Sequence, residues 1–75
     1  MPKILVVGGN GFLGSHLVDA LARNEGTSIR AFDMFGSGTH WSATGVEAFD
    51  GNFLNHDDVS RAVTGVDIVV HMLST

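Results

Sequence analysis

An α/β fold built on a mostly parallel sheet is predicted by three observations. Two apolar runs, Ile4-Leu5-Val6-Val7 and Ile68-Val69-Val70-His71-Met72-Leu73, are continuous rather than alternating, as expected of strands buried on both faces. Between Phe12 and Arg23 the apolar period lengthens to that of a helix. A glycine-rich stretch, Gly8 to Gly14, joins the first run to that helix. The 75 residues are room for one small domain, and a chain this short buries only about 60% of its unfolded surface. With no cysteine, neither a disulfide nor a zinc-thiolate site reinforces the core.

Taken in order, the first strand is Ile4 to Val7, ending at Gly8-Gly9. In the helix that follows, Leu13, Leu17, Ala20 and Leu21 share one face, while Asp19 and Arg23 stand at i,i+4 on another. Gly26 suits the exit. Thr27 to Asp33 reads as the second strand, with Ile29, Ala31 and Phe32 apolar. Met34 to Gly45 is turn-rich and a dozen residues long, against about 2–6 for ordinary connections of this kind, so it is a binding loop or hides a helical turn. Val46 to Phe49 is a short third strand. Asn55 is placed to cap a second helix, with Asp57 and Asp58 in its first turn, Val59, Ala62 and Val63 on its buried face and Gly65 at its exit. Asp67 leads into the fourth strand. Alternating β-α-β-loop-β-α-β with right-handed crossovers gives half of a doubly wound Rossmann fold, strand order 3-2-1-4, helices on both faces. The fourth strand is then an exposed edge, an association hazard where a fifth strand ought to follow.

Lys3, Arg23, Arg30 and Arg61 face eight acidic residues, a formal charge of −4. That balance argues against nucleic acid or an anionic membrane as partner. No apolar run reaches the roughly 20 residues of a membrane span, and no signal-peptide pattern opens the chain; the expectation is a soluble, cytoplasmic protein. His16, His40, His56 and His71 show no ligand pair at i,i+3 or i,i+4, so a metal site is not expected. His71 reads as a hydrogen-bonded core histidine, His56 as part of a solvated helix start, and Trp41 as packing over the sheet edge. Ser74 and Thr75 have no base within sequence reach. Gly36-Ser37-Gly38-Thr39 reads as a turn.

The chemistry lies in Gly8-Gly9-Asn10-Gly11-Phe12-Leu13-Gly14, which fits both Gly9-x-Gly11-x-x-Gly14 and Gly8-x-x-Gly11-x-x-Gly14. Either way one glycine makes the tight turn, one lets backbone approach a pyrophosphate and the last allows close helix–strand packing. The free N–H groups and positive end of the helix then receive the phosphate. The pattern counts because it follows a predicted strand and opens a predicted helix. Asp33 lies 19 residues beyond Gly14, at the end of the second strand, close to the spacing of about 20 for an acid that binds a ribose 2′-hydroxyl. A carboxylate there repels a 2′-phosphate and points to NAD over NADP. Arg30 is the nearest cation in sequence, but it precedes Asp33 and lies inside the strand.

The stretch Lys3 to Leu17, Asp33, Asp50-Gly51-Asn52-Phe53 and Val66 to Met72 together resemble the N-terminal part of the extended short-chain dehydrogenase/reductases, in the NAD-dependent epimerase/dehydratase branch that includes UDP-glucose 4-epimerase-like proteins. The resemblance implies that Gly8, Gly11, Phe12 and Leu13 meet the pyrophosphate and that Asp33 binds the adenosine ribose. Asn52, usually an aspartate there, would lie near the adenine with Phe53 in place of an aliphatic neighbour. Met72, Leu73 and Ser74 would run along the cofactor, Leu73 being bulkier than the small residue common at its position. With Asn10 and Met34 beside these, the candidate cofactor residues number twelve, and no catalytic or metal residue is assigned.

The resemblance further implies a parent enzyme that takes a hydride from a nucleotide-sugar carbon, holds a keto intermediate, and returns the hydride or eliminates. Its base would be the tyrosine of a Tyr-x-x-x-Lys motif. These residues contain no tyrosine, and their only lysine is Lys3. Residues 1–75 are therefore expected to be the N-terminal part of an NAD(P)-binding domain, inactive alone, the rest of that domain and the substrate domain lying beyond Thr75. Two other readings stand beside it. One is a nucleotide-sugar reductase or dehydratase of the same superfamily. The other is a non-catalytic nucleotide-binding or association module, pairing as a homo-oligomer through the exposed fourth strand.

Overall fold

A computed structural model describes residues 2–36 and 38–72. The elements are β1 (Lys3–Val7), α1 (Phe12–Ala22), β2 (Ser28–Asp33), β3 (Glu47–Asp50), α2 (His56–Ala62) and β4 (Ile68–His71). The four strands form one sheet in the order β3-β2-β1-β4, and every pairing is parallel. Val7 stands level with Phe32 on one side and His71 on the other, and Asp33 stands level with Asp50. The C-terminal ends of all four strands therefore share one edge of the sheet, where the turn Gly8–Gly11 begins.

Central β1 separates two apolar layers. Ile4 and Val6 join Ile29, Ala31 and α1's Val18 on one face, while Leu5 and Val7 join Phe32 and α2's Ala62 on the other. No helix occurs among the described residues of the long β2–β3 connection. Trp41 does a helix's work instead, packing on the Ile4–Val18–Ile29 layer and meeting Phe35 edge-on at 5.6 Å between centroids. Asn55 caps α2, its Oδ1 accepting the Asp58 N–H at 3.1 Å, with Asp57 and Asp58 in the first turn.

Several expectations are corrected. The sheet-facing side of α1 is Gly14, Ser15 and Val18, with Leu17 and Leu21 half-buried, whereas Leu13 and Ala20 are exposed. Gly14 lies against the Gly8 carbonyl, which sets the helix's rotation; its neighbour Leu13, about 100° away around the axis, is turned outward. Asp19 does not pair with Arg23. Its carboxylate accepts the backbone N–H groups of Ser42 (2.9 Å) and Ala43 (2.8 Å), because charge-assisted bonds to otherwise open donors outweigh an exposed ion pair. Val63 is exposed, and His71 is an exposed residue rather than a core histidine. Ile68 and Val69 are about half exposed, at 48% and 53%: β4 is an edge strand, and continuous apolarity does not say which face is covered.

Arg30 takes a role that its position in β2 did not suggest. Its Nη1 donates to the carbonyls of Ala62 (2.6 Å) and Thr64 (3.0 Å), at the end of α2, and its Nε donates to Glu47 at 3.1 Å. Lys3 Nζ reaches the same Glu47 oxygen at 2.9 Å. The Lys3 hydrogen bond and then the Arg30 one hold the Glu47 carboxyl below its ordinary value of 4.5. A carboxyl depressed by folding contributes stability above its unfolded pKa and loses it as pH falls through the folded value. Acid titration should therefore lower the Tm of the wild-type chain more steeply below pH 4.5 than that of Glu47→Gln. Half-exposed Glu47 is screened by ions, so 0.5 M salt, taken as about three times physiological strength, should shrink the difference; equal acid slopes would refute the linkage.

Candidate functional site

The turn after β1 is built from backbone. Gly8 has φ +83°, a conformation that side chains resist, and its N–H extends the β1–β2 ladder to the Phe32 carbonyl at 2.8 Å. Gly11 donates to the Gly8 carbonyl (3.2 Å) and accepts from Ser15 N–H (2.9 Å), which starts α1. Gly11 is the N-cap, with no side-chain cap, and the first turn carries no acid. The N–H groups of Phe12, Leu13 and Gly14 accordingly take no partner among the described residues. Three open donors at a helix's positive end have the geometry and charge to accept an anion.

The glycines divide their work. At Gly14 a methyl group would overlap the Gly8 carbonyl oxygen and lie 2.9 Å from its carbon, so the fold itself requires glycine there. At Gly11 a methyl would meet only the Gly8 oxygen, at an ordinary 3.5 Å. Nothing among the described residues demands glycine at position 11, whose open side lies at the mouth of α1.

Asp33 is half-buried at the end of β2. Its Oδ2 accepts the Asn10 N–H at 2.9 Å and its Oδ1 the Met34 N–H at 2.8 Å. A carboxylate has about four acceptor positions, so both oxygens keep capacity for further donors. Asp33 and Met34 join Phe32, Gly51 and Phe53 around a cavity of ≈ 50 Å³ between the ends of β2 and β3. Asn52 stands beside it with Oδ1 occupied by the Leu54 N–H (2.9 Å) and its own N–H given to Asp58 (3.0 Å). Met72 lies past the end of β4, its N–H bonded to the Val7 carbonyl at 2.7 Å, and it packs on the Ile4–Val18–Ile29 layer rather than lining this cavity. Leu73 and Ser74 lie outside the described residues. Arg30 is committed to α2 and Glu47.

Asn10 is buried and fully engaged. Its Oδ1 accepts the His40 N–H (2.7 Å), its Nδ2 donates to the Gly38 carbonyl (3.0 Å), and its own carbonyl accepts from His40 Nδ1 (2.7 Å). His40 and Asp19 were not among the expected site residues, although they tie the long connection to the glycine turn and to α1. Sequence carried no signal for either, since the partners lie 30 and 23 positions apart.

The model of the NAD dependent epimerase/dehydratase family matches residues 4–75. The chain belongs to that family. Within it, UDP-glucuronic acid decarboxylase 1 of Danio rerio is 38% identical over 77 residues, spanning 96% of this chain and 17% of its own. A 3-beta-hydroxysteroid dehydrogenase of Mycolicibacterium neoaurum is 38% identical over 71 residues, spanning 92% and 18%. The chain thus covers about a fifth of the length of these relatives. Among solved structures, a Rossmann-fold NAD(P)-binding family protein from Shigella flexneri superposes with TM-score 0.88 at 26% identity, over 100% of this chain and 39% of that one. UDP-glucuronic acid 4-epimerase from Bacillus cereus, solved in complex with NAD, superposes with TM-score 0.76 at 28% identity, over 96% and 26%. The epimerase/dehydratase chain has the expected parallel Rossmann-type sheet, and no helix among its described residues is long and apolar enough to cross a membrane.

Proposed function

We propose that these residues form the adenosine-side half of the NAD site of a nucleotide-sugar epimerase/dehydratase-type oxidoreductase, the N-terminal part of its cofactor domain. The observation that carries this reading is the uncapped start of α1 with glycine at position 11, where the fold needs none. A pyrophosphate fits three open N–H groups and a mouth that a methyl would narrow. Asp33 has acceptor capacity left for the two ribose hydroxyls, and Met34 and Phe53 offer apolar surface to a purine. The Asp33 charge repels a 2′-phosphate, and Arg30, bound elsewhere, does not offset it. NAD, when bound, supplies a hydride acceptor. The proton chemistry attributed to Tyr-x-x-x-Lys is not carried by these residues, which have no tyrosine. A nucleotide sugar is the proposed substrate class of the parent, with epimerisation ahead of reduction or dehydration. The Bacillus cereus epimerase, solved also with UDP-glucuronic acid and NAD, supports that choice. A cytoplasmic setting goes with it, because NAD and nucleotide sugars are intracellular metabolites.

Calorimetric titration of the 75-residue chain tests the reading. NAD and ADP should bind with similar affinity, NADP at least about tenfold more weakly, a difference of roughly 1.4 kcal/mol. Gly11→Ala should abolish binding of both NAD and ADP. NADP binding as tight as NAD would refute the role of Asp33.

A second reading rests on β4, whose half-exposed Ile68 and Val69 border a strand edge that has no partner among the described residues. Self-association through that edge is the homo-oligomer it proposes.

A further inference from the structure

Four hydrogen-bonding groups of Asn10 are used, and three of them face one segment. The N–H goes to Asp33. Oδ1, Nδ2 and the main-chain oxygen all meet the loop at Gly38 and His40. Because a carbonyl only accepts, His40 Nδ1 must carry the proton in its bond to the Asn10 oxygen. The loop is held twice more, by Asp19 at Ser42 and Ala43 and by Asp50, which accepts the Phe35 N–H at 3.0 Å. Those anchors fix its two ends. Among the described residues, the bonds of Asn10 to Gly38 and His40 tie its middle to the turn that carries the open N–H groups.

We propose that Asn10 and His40 form a latch which clamps residues 38–43 of the β2–β3 connection onto the glycine-rich turn and presets the turn for the ADP portion of the cofactor, both acting as positioning residues. The inference rests on the NAD reading above. Asn10 spends its side chain on the loop, so its influence reaches the ligand indirectly. One path runs through its N–H to Asp33. The other runs through the adjoining Gly11, which leads into the donors of Phe12 and Leu13. An unlatched turn must be ordered at the moment of binding, and that cost appears as lost affinity.

The test uses the 75-residue chain with His40→Ala, His40→Asn and His40→Gln, titrated with NAD, ADP and nicotinamide mononucleotide. An asparagine Nδ2 occupies nearly the place of histidine Nδ1, whereas a glutamine mimics Nε2, which this bond does not use. His40→Ala and His40→Gln should weaken NAD and ADP by the same factor, about tenfold, the scale of one hydrogen bond. His40→Asn should return to within about threefold, roughly half a hydrogen bond's worth. Any binding of nicotinamide mononucleotide should be unchanged. Trp41, the only tryptophan, follows His40 directly and reports the latch without ligand: acrylamide should quench it more strongly in His40→Ala than in wild type or His40→Asn. Wild-type binding with no loss in His40→Ala, or no rescue by asparagine, overturns the latch alone. Unchanged quenching in His40→Ala also overturns it. A wild-type chain that binds neither NAD nor ADP overturns the NAD reading, and the latch's part in binding with it.

Discussion

Gly14→Ala should lower the Tm of the chain by about 10–20 °C, while Gly11→Ala, three residues away, should lose its ligand and only a few degrees. The Gly14 methyl has nowhere to go: it would overlap the Gly8 carbonyl oxygen, and the Gly9 Cα lies at 3.1 Å. Both obstacles are backbone. Relief would require α1 to move off the sheet, uncovering Val18 and the Ile4–Ile29 layer. Overpacking of this kind costs about 1–3 kcal/mol or more. A domain of this size has about 4–11 kcal/mol in total by the usual per-residue scale, and the core here is small. Gly11→Ala meets an ordinary contact and changes only a helix cap, about 0.5–1 kcal/mol, or a Tm lower by about 3–6 °C. Thermal melts followed by circular dichroism, with dispersed amide resonances as the check on packing, separate the two variants. A Gly14→Ala chain with the wild-type Tm would show that the close approach of α1 to the turn is not required.

Arg30→Met should be the most damaging change away from the turn. The side chain is only 12% exposed, and it joins two helix-end carbonyls of α2 to Glu47 of β3. α2 is a helix of seven residues with one fully buried side chain, Ala62. Hydrogen bonds from a charged donor contribute about 1.5–3 kcal/mol each; with the contact to half-exposed Glu47 screened and a single Nη1 shared between the two carbonyls, a loss of about 2–4 kcal/mol is expected, lowering Tm on the order of 10–20 °C. Methionine replaces the apolar stem, which leaves the missing guanidinium as the cause. Arg30→Lys should recover part of the loss, because an ammonium can reach Glu47 but cannot reproduce the planar fork that meets the two carbonyls and Glu47 together. Equal Tm for wild type and Arg30→Met would remove the cap from the account of stability.

Most of the sheet was legible in the residues. Strand order followed from β-α-β alternation, because a parallel pair needs a crossover and the crossover has one hand. The glycine turn and Asp33 were legible for a similar reason: their spacing is set by backbone geometry, which any strand-turn-helix shares. Asn55 was legible because a cap acts on N–H groups three residues away. The loop was not. Its tethers join positions 15 to 30 apart through single polar side chains, and no period or local propensity marks such pairs. The α1 face was legible only in part: Leu17 and Leu21 do pack on the core, whereas Leu13 and Ala20 do not. Apolar periodicity scores leucines, whereas the rotation of α1 is set by Gly14, where the helix backbone comes against the Gly8 carbonyl.

By itself, then, the sequence determined the kind of fold, the order of its strands and the place where an anion can meet a helix. Those are consequences of hydrophobic period, chain reversal and main-chain hydrogen bonding, all local in sequence. Tertiary structure alone decided how α1 is rotated, which layer Trp41 covers and where Arg30 spends its charge. It also decided that Asn10 and His40 meet. These outcomes depend on which groups are left with unsatisfied carbonyls, open N–H groups or uncovered apolar surface once the sheet has formed, and that is known only when distant segments lie side by side.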